Sequence, residues 1–151
     1  MDTGVDADHP ELAGKVIATR NFTEEPDAGD NLGHGTHVAA TIAAGGATHR
    51  GDAPDARLIA GKVCAARFGC LESAILAGMQ WAAEQGARVV NMSLGGPDEP
   101  GTDLREQAVQ RLSAEHGTLF VVASGDDGAR EGVGVARHRG RRAGGRRGRP
   151  R

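Results

Sequence analysis

Aromatic residues and long apolar runs are what this sequence has least of. Only 3% of its 151 residues are aromatic, with one Trp and no Tyr, so the core is expected to be built from Ala, Val, Ile and Leu. No apolar run approaches the roughly 20 residues that a membrane-spanning helix needs. The N-terminus, MDTGVDADHP, lacks the apolar stretch of a signal peptide. Because 38% of the residues are hydrophobic, we still expect one domain with a real core.

Charge divides the sequence into two parts. Residues 1–128 carry 9 Lys or Arg and 19 Asp or Glu, whereas residues 129–151 carry 9 Arg and one Glu. The stretch ARHRGRRAGGRRGRPR has no apolar periodicity and could not bury a core. We therefore predict a folded part over 1–128 and a disordered, Arg/Gly-rich tail over 129–151.

Strand-like and helix-like segments alternate along the folded part. The patterns predict strands over 15–22, 57–63, 87–94 and 118–124, and helices over 34–45, 70–86 and 102–117, the last with Thr102 as its N-cap. The last strand is continuously apolar, which is typical of a strand covered on both faces. The alternation predicts an α/β layer fold with a parallel sheet. In such a sheet, functional sites gather beyond the carboxyl ends of the strands.

The sequence has two cysteines, Cys64 and Cys70, in the stretch KVCAARFGC. They are either unrelated small residues or a disulfide that closes a small surface loop in an oxidising compartment. A zinc site would need more ligands than this pair provides.

Three stretches carry residue types that suit catalysis: DTGVDADHPEL (2–12), GHGTHVA (33–39), and the pair NMSLGG (91–96) and VVASGDDG (121–128). A histidine titrates near neutral pH and can act as a general base, and a buried carboxylate can fix its tautomer. Gly33 and Gly35 would let backbone approach His34 closely. Without the other motifs, the simpler interpretation of His34 is a polar residue at a helix N-terminus. His37 lies three positions on, but the HExxH pattern of a zinc site is absent.

In this order and spacing, the motifs resemble those of the subtilisin-like serine peptidases, the subtilase or S8 family, over residues 1 to about 128. The resemblance implies a three-layer α/β fold with a mostly parallel sheet, incomplete at both ends. It implies peptide-bond hydrolysis through an acyl-enzyme, with Asp2 as the orienting carboxylate, His34 as the general base and Asp126 at the oxyanion position. It also implies that a peptide substrate binds along Ser93, Leu94, Gly95 and Gly96, opposite Ala123, Ser124 and Gly125.

The sequence departs from the family's pattern at both ends. The aliphatic strand expected immediately before Asp2 is not in it, and neither is a pro-segment. Position 126 has Asp where the family usually has Asn, and a carboxylate cannot donate a hydrogen bond unless it is protonated. No Thr-Ser pair occurs, so the serine of the family's Gly-Thr-Ser motif has no counterpart. The four serines, Ser73, Ser93, Ser113 and Ser124, all lie in segments with other assignments.

The basic tail begins where the family would continue with another loop and strand. If the reading frame of the gene is moved by one nucleotide here, the tail can be translated as SPGTADDALAVGAVD. This sequence is similar to the family's next segment. This suggests a frameshift at or upstream of codon 135, so that the tail is out-of-frame translation.

The resemblance also sets expectations about cofactors, partners and location. No cofactor is expected for catalysis; calcium is a structural ion in the family, but here Asp2, Asp6 and Asp8 indicate a solvated acidic turn. We expect a secreted monomer that binds a peptide or protein substrate and does not bind a membrane. Without the serine, the chain itself is expected to be inactive. The alternatives are a peptide-binding pseudoenzyme and nucleic-acid binding through the basic tail.

Overall fold

A computed structural model describes residues 1–95 and 103–124. Its strands are β1 (Val16–Asn21), β2 (Leu58–Lys62), β3 (Cys64–Ala65), β4 (Gly69–Cys70), β5 (Val89–Met92) and β6 (Leu119–Val122). Its helices are α1 (His34–Ala43), α2 (Glu72–Glu84) and α3 (Leu104–His116), preceded by a 3-10 turn at Pro10–Leu12. The predicted tail over 129–151 and the predicted site positions Gly96, Gly125 and Asp126 lie outside the described residues.

Two parallel strand pairs form the framework. β1 pairs with β2, with Asn21 opposite Lys62, and β5 pairs with β6, with Val89 opposite Leu119. A helix lies between the strands of each pair in sequence, α1 in the first and α3 in the second. This arrangement confirms the predicted α/β fold with parallel strands.

The core lies where α2 packs on α3 and on the strands. α2 buries Ile75, Met79 and Ala82, and α3 contributes Leu112, which is completely buried. Trp81 is also buried, with its ring centroid 5.8 Å from that of Phe22. The expectation of a core built only from Ala, Val, Ile and Leu is therefore wrong, because Met and Trp side chains fill the space that the small residues leave. Among the described residues, no helix is long and apolar enough to cross a membrane.

A cleft of about 650 Å³ separates β2 from β5. Its walls include Ile59 of β2 and Val90 of β5, and α1 and α2 flank it. At its end, the Met1 amino group donates a hydrogen bond to the Asn91 carbonyl oxygen over 2.9 Å; burial lowers the pKa of this amino group. Residues 1 and 2 thus link the two strand pairs.

The prediction that both faces of the last strand are covered is wrong for the described residues. Leu119 and Val121 are 59% and 46% exposed, and Val89, which pairs with Leu119, is 59% exposed. Only Phe120 and Val122 of β6 pack against the core. Val89 and Val121 instead border the cleft, which Val38 and Ile42 of α1 also line.

The N-cap of α3 also differs from the prediction. The helix begins at Leu104, and its N-cap is Asp103, whose carboxylate accepts hydrogen bonds from the backbone N–H groups of Arg105 (2.7 Å) and Glu106 (3.3 Å). Burial raises the pKa of Asp103, but the hydrogen bonds from Arg105, its positive charge and the hydrogen bond from Glu106 together lower it. Asp caps at this position because its short side chain reaches the free N–H groups of the first turn.

We expect Leu112→Ala to lower the free energy of unfolding by about 2–5 kcal/mol, because it leaves a cavity between α3 and α2. The matched control is Leu104→Ala on the same helix, where the side chain is 48% exposed and the expected change is about 0.5 kcal/mol or less. Urea unfolding followed by circular dichroism measures both. Equal losses would contradict the described packing of α3.

Candidate active site

A buried carboxylate and a half-exposed imidazole lie in contact at the carboxyl edge of the sheet. His34 Nδ1 is 2.6 Å from Asp2 Oδ1, and the side chains are 53% and 10% exposed, respectively. The Thr3 backbone N–H donates to the same carboxylate oxygen over 2.8 Å. If Nδ1 carries the proton that Asp2 accepts, Nε2 of the neutral imidazole is an acceptor. The pair thus has the geometry of a base oriented by an acid.

Backbone pairing with β2 holds Asp2 in place. Asp2 N–H donates to the Gly61 carbonyl (3.0 Å), and the Asp2 carbonyl accepts from the N–H groups of Val63 (2.9 Å) and Cys64 (3.2 Å). Asp2 therefore continues the sheet alongside the end of β2, as its parallel bridge to Lys62 also indicates. This is the edge at which parallel sheets place their sites.

Glycines allow the segments around the pair to approach one another. At Gly4, where φ is +114°, a Cβ would lie 2.4 Å from the Gly29 carbonyl oxygen. At Gly35, a Cβ would lie 2.1 Å from the Gly4 carbonyl oxygen, so only glycine lets the first turn of α1 reach the Asp2 segment. Gly33 was expected to allow a close backbone approach as well, but a Cβ there would meet nothing within 4 Å. Its role is conformational, since it is the N-cap of α1 with φ of 83°.

Asp30 connects the two segments that carry Asp2 and His34. Its Oδ1 accepts from the Thr3 hydroxyl (2.8 Å) and the Gly33 N–H (2.9 Å), and its Oδ2 accepts from the Thr36 N–H and hydroxyl (both 2.7 Å). Burial raises the pKa of Asp30, but these hydrogen bonds outweigh it and lower the pKa to about 2.

A buried lysine fixes the acidic loop that leads to Asp30. Lys62 is 1% exposed; its Nζ lies 2.6 Å from Glu25 Oε2 and donates to the Gly29 carbonyl. The hydrogen bond from Lys62, together with one from the Ala66 N–H, lowers the pKa of Glu25. A buried ammonium group persists only with such partners, so Lys62 ties this loop to the end of β2.

Asp30, Lys62 and Glu25 were not predicted from the sequence. The signal for Lys62 is one charged residue near the end of the apolar strand RLIAGKV. The signal for Asp30 is an Asp shortly before a helix N-terminus that has no capping side chain of its own.

The two cysteines form a disulfide next to the site. Cys64 and Cys70 lie opposite each other in the antiparallel β3–β4 hairpin, and their sulfur atoms are bonded. The hairpin starts where Cys64 donates to the Asp2 carbonyl, so the disulfide closes a loop that begins at the site.

The described part of the predicted peptide-binding edge lies at the carboxyl end of the β5–β6 pair. Ser93, Leu94 and Gly95 directly follow β5, and Ala123 and Ser124 directly follow β6. The Ala123 N–H donates to the Met92 carbonyl over 3.1 Å, which keeps the two segments adjacent as they leave the sheet.

No cluster of metal-ligating carboxylate, imidazole or thiol side chains lies among the described residues. Within 1–95 and 103–124, no three His, Cys, Asp or Glu side chains come together as metal ligands. Asp6 Oδ1 accepts from the Asp8 N–H over 3.1 Å, and Asp2 is engaged with His34 and Thr3. Calcium needs six to eight converging oxygen atoms, so we assign no step to it.

This chain is similar to known proteins over most of its length. The subtilase family, Peptidase_S8, matches residues 1–143. The "Major intracellular serine protease" of Bacillus subtilis (strain 168) is 39% identical over 137 residues, covering 85% of this chain and 42% of the relative. Subtilisin DY of Bacillus licheniformis is 41% identical over 132 residues, covering 85% of this chain and 46% of the relative. The crystal structure of a cold-adapted subtilisin-like serine proteinase superposes with a TM-score of 0.68 at 31% identity, over 83% of this chain and 44% of that one.

The chain thus spans less than half the length of these relatives. The match nevertheless covers most of the chain, and it agrees with the parallel strand pairs and with the family resemblance of the motifs. This chain belongs to the subtilase family of serine peptidases.

Proposed function

We propose that this chain supplies the acid and the base of a subtilisin-like serine endopeptidase, with Asp2 as the acid and His34 as the base. The observation that carries the proposal is the 2.6 Å contact between Asp2 Oδ1 and His34 Nδ1 at the carboxyl edge of the sheet. Membership of the subtilase family supports it independently.

In the proposed reaction, His34 Nε2 takes the proton of a serine hydroxyl as its oxygen attacks the peptide carbonyl carbon. The Asp2 carboxylate stabilises the imidazolium that forms. His34 then gives the proton to the leaving amine as the peptide C–N bond breaks, which leaves an acyl-enzyme. Water, activated by the same imidazole, hydrolyses the ester and restores the serine. The half-exposed side chain of His34 leaves Nε2 accessible for these transfers.

We also propose that none of the four serines in this chain is the nucleophile. Ser73 lies on α2, the Ser93 hydroxyl accepts from Asn91 Nδ2 (2.9 Å), and the Ser113 hydroxyl donates to the Thr118 carbonyl (2.8 Å). Among the described residues, which include Ser124, the His34 ring has a side-chain hydrogen bond to Asp2 alone. A nucleophile must be able to reach the base, at about 2.6–3.2 Å.

The purified chain is therefore expected to hydrolyse no peptide and to take no label from a fluorophosphonate, which reacts with activated serines. The measurement is labelling by gel fluorescence and mass spectrometry, with His34→Ala as the matched control. Labelling of a serine in the wild-type chain that disappears in His34→Ala would show that the chain has its own nucleophile.

For substrate binding, we propose that an extended peptide pairs with the backbone of Ser93–Gly95, opposite Ala123 and Ser124. This mode of recognition adds a strand to a free edge. Gly95 is exposed, and a Cβ there would meet nothing within 4 Å, so this segment leaves room for the backbone of a substrate.

A chimera tests the catalytic roles. Residues 1–124 replace the aligned part of the Bacillus subtilis relative, which then provides the remainder of the domain. We expect this chimera to cleave a fluorogenic peptide, and His34→Ala to lower kcat by about 10⁶-fold, the loss known for the catalytic histidine of subtilisin itself.

His37→Ala is the matched control, because His37 is exposed and lies on the same helix. It should keep kcat within about 3-fold, since it removes no group from the proposed proton path. A chimera that stays active in His34→Ala would contradict the proposed base.

The disulfide favours an oxidising compartment, and we propose that this protein acts outside the cytoplasm. One relative is named intracellular and another is a subtilisin, so the names of relatives do not decide the location. Alkylation of Cys64 and Cys70 in the native, unreduced protein would rule out this assignment.

A further inference from the structure

We propose that Asp30 is a positioning residue that sets the contact between Asp2 and His34 by tying the turn after Asp2 to the first turn of α1. The inference rests on the proposed function, because Asp2 and His34, which Asp30 positions, are the acid and the base of that function. Asp30 touches neither side chain directly among its hydrogen bonds; it acts through Thr3, Gly33 and Thr36.

The first step of the connection runs from Asp30 to the Asp2 segment. Asp30 Oδ1 accepts the proton of the Thr3 hydroxyl over 2.8 Å, and Thr3 is covalently next to Asp2. The Thr3 N–H also donates to Asp2 Oδ1 over 2.8 Å. Thr3 is thus held at its hydroxyl by Asp30 while its backbone holds the oxygen that meets His34.

The second step runs from Asp30 to α1. Helix α1 begins at His34, and its N-cap Gly33 has no side chain to satisfy the free N–H groups of the first turn. Asp30 Oδ2 accepts from the Thr36 N–H and hydroxyl, each over 2.7 Å. Asp30 is therefore the capping group of α1, and its negative charge is favourable at a helix N-terminus.

The two steps form a closed ring of hydrogen bonds. The Thr3 hydroxyl, having donated to Asp30, accepts from the Gly35 N–H over 3.0 Å. The Thr36 hydroxyl likewise accepts from the Asp6 N–H over 2.9 Å. Each hydroxyl is used once as donor and once as acceptor, within the capacity of a hydroxyl group. Removal of Asp30 would open both links at once.

The test follows the Nδ1 proton of His34 by NMR in the ¹⁵N-labelled full chain. A proton held between an imidazole and a carboxylate resonates far downfield and exchanges slowly with water. We expect this resonance in the wild-type chain and its loss by exchange broadening in Asp30→Ala. The matched control is Asp27→Ala in the same loop, where the carboxylate accepts from Gly29 N–H over 2.8 Å; it should keep the resonance.

A second variant decides the matter if Asp30→Ala does not fold. Thr3→Val preserves the shape of the side chain but removes the hydroxyl that donates to Asp30. This variant should broaden the resonance although Asp30 still caps α1 through Thr36. A sharp, unchanged resonance in folded Asp30→Ala, or in Thr3→Val, would overturn the role of Asp30. Absence of the resonance from the wild-type chain would count against the Asp2–His34 pair and hence against the proposed function as well.

Acid unfolding gives an independent prediction. The folded-state pKa of Asp30 is about 2, below its ordinary value of 3.8, so its contribution to stability is complete above about pH 4 and is lost as pH falls towards 2. The Asp30→Asn variant lacks this titration. The difference in urea midpoint between wild type and Asp30→Asn should therefore be largest at pH 5 and should shrink from about pH 4 to about pH 2.

Other ionisable side chains on the segments around Asp30 are Asp2 and Asp6 on the N-terminal segment, Glu25 and Asp27 on its own loop, Lys62 at the end of β2, and His34 on α1. They are present in both proteins, so the part of their titration that does not depend on Asp30 cancels in the difference between the two midpoints. A difference that stays constant between pH 5 and pH 2 would show that the Asp30 carboxylate is not held by the ring.

Discussion

The backbone pairing of Asp2 with the carboxyl end of β2 is the constraint on which the rest of the site depends. It uses the Gly61 carbonyl on one side of the residue and the N–H groups of Val63 and Cys64 on the other. Because the pairing is parallel and lies at the edge of the sheet, the Asp2 carboxylate reaches the segment that begins α1. The same strand end carries Lys62, which holds the acidic loop through Glu25, and that loop delivers Asp30. The end of β2 therefore positions Asp2, the proposed acid, directly. It positions His34, the proposed base, through Glu25 and Asp30.

Sequence reasoning succeeded where local pattern decides structure. Periodicity located every major strand and helix of the described residues to within a few positions, and motif resemblance paired Asp2 with His34, which the fold brings to 2.6 Å. It failed where the outcome depends on distant packing. The apolar run Leu119–Val122 cannot reveal that Leu119 and Val121 stay exposed and that Val121 borders a cleft. Residues 24–31, EEPDAGDN, are an acidic stretch with Pro and Gly, and nothing local in it shows that Glu25 contacts a buried lysine or that Asp30 caps the first turn of a helix.

In the proposed function, this chain supplies the acid and the base of the catalytic triad but not its nucleophile. Orientation of the base needs a carboxylate, an imidazole and the scaffold between them. This chain supplies the carboxylate of Asp2 and the imidazole of His34, and the end of β2 and the loop that carries Asp30 are part of the scaffold. Attack on a peptide bond needs a serine within reach of His34 as well, and the proposal assigns that role to none of the four serines here. The chain spans less than half of its relatives, and members of a triad act as a unit. An ordered acid and base without a nucleophile is therefore the state that the proposal assigns to the chain on its own.

The most direct test is a pair of crystal structures, one of the wild-type chain and one of Asp30→Ala. The account predicts that His34 Nδ1 lies about 2.6 Å from Asp2 Oδ1 in the first. In the variant, it predicts that the first turn of α1 has shifted and that the imidazole has turned away from the carboxylate. An unchanged contact in the variant, with Thr3 and Thr36 satisfied by other groups, would contradict the claim that Asp30 sets the geometry of the pair.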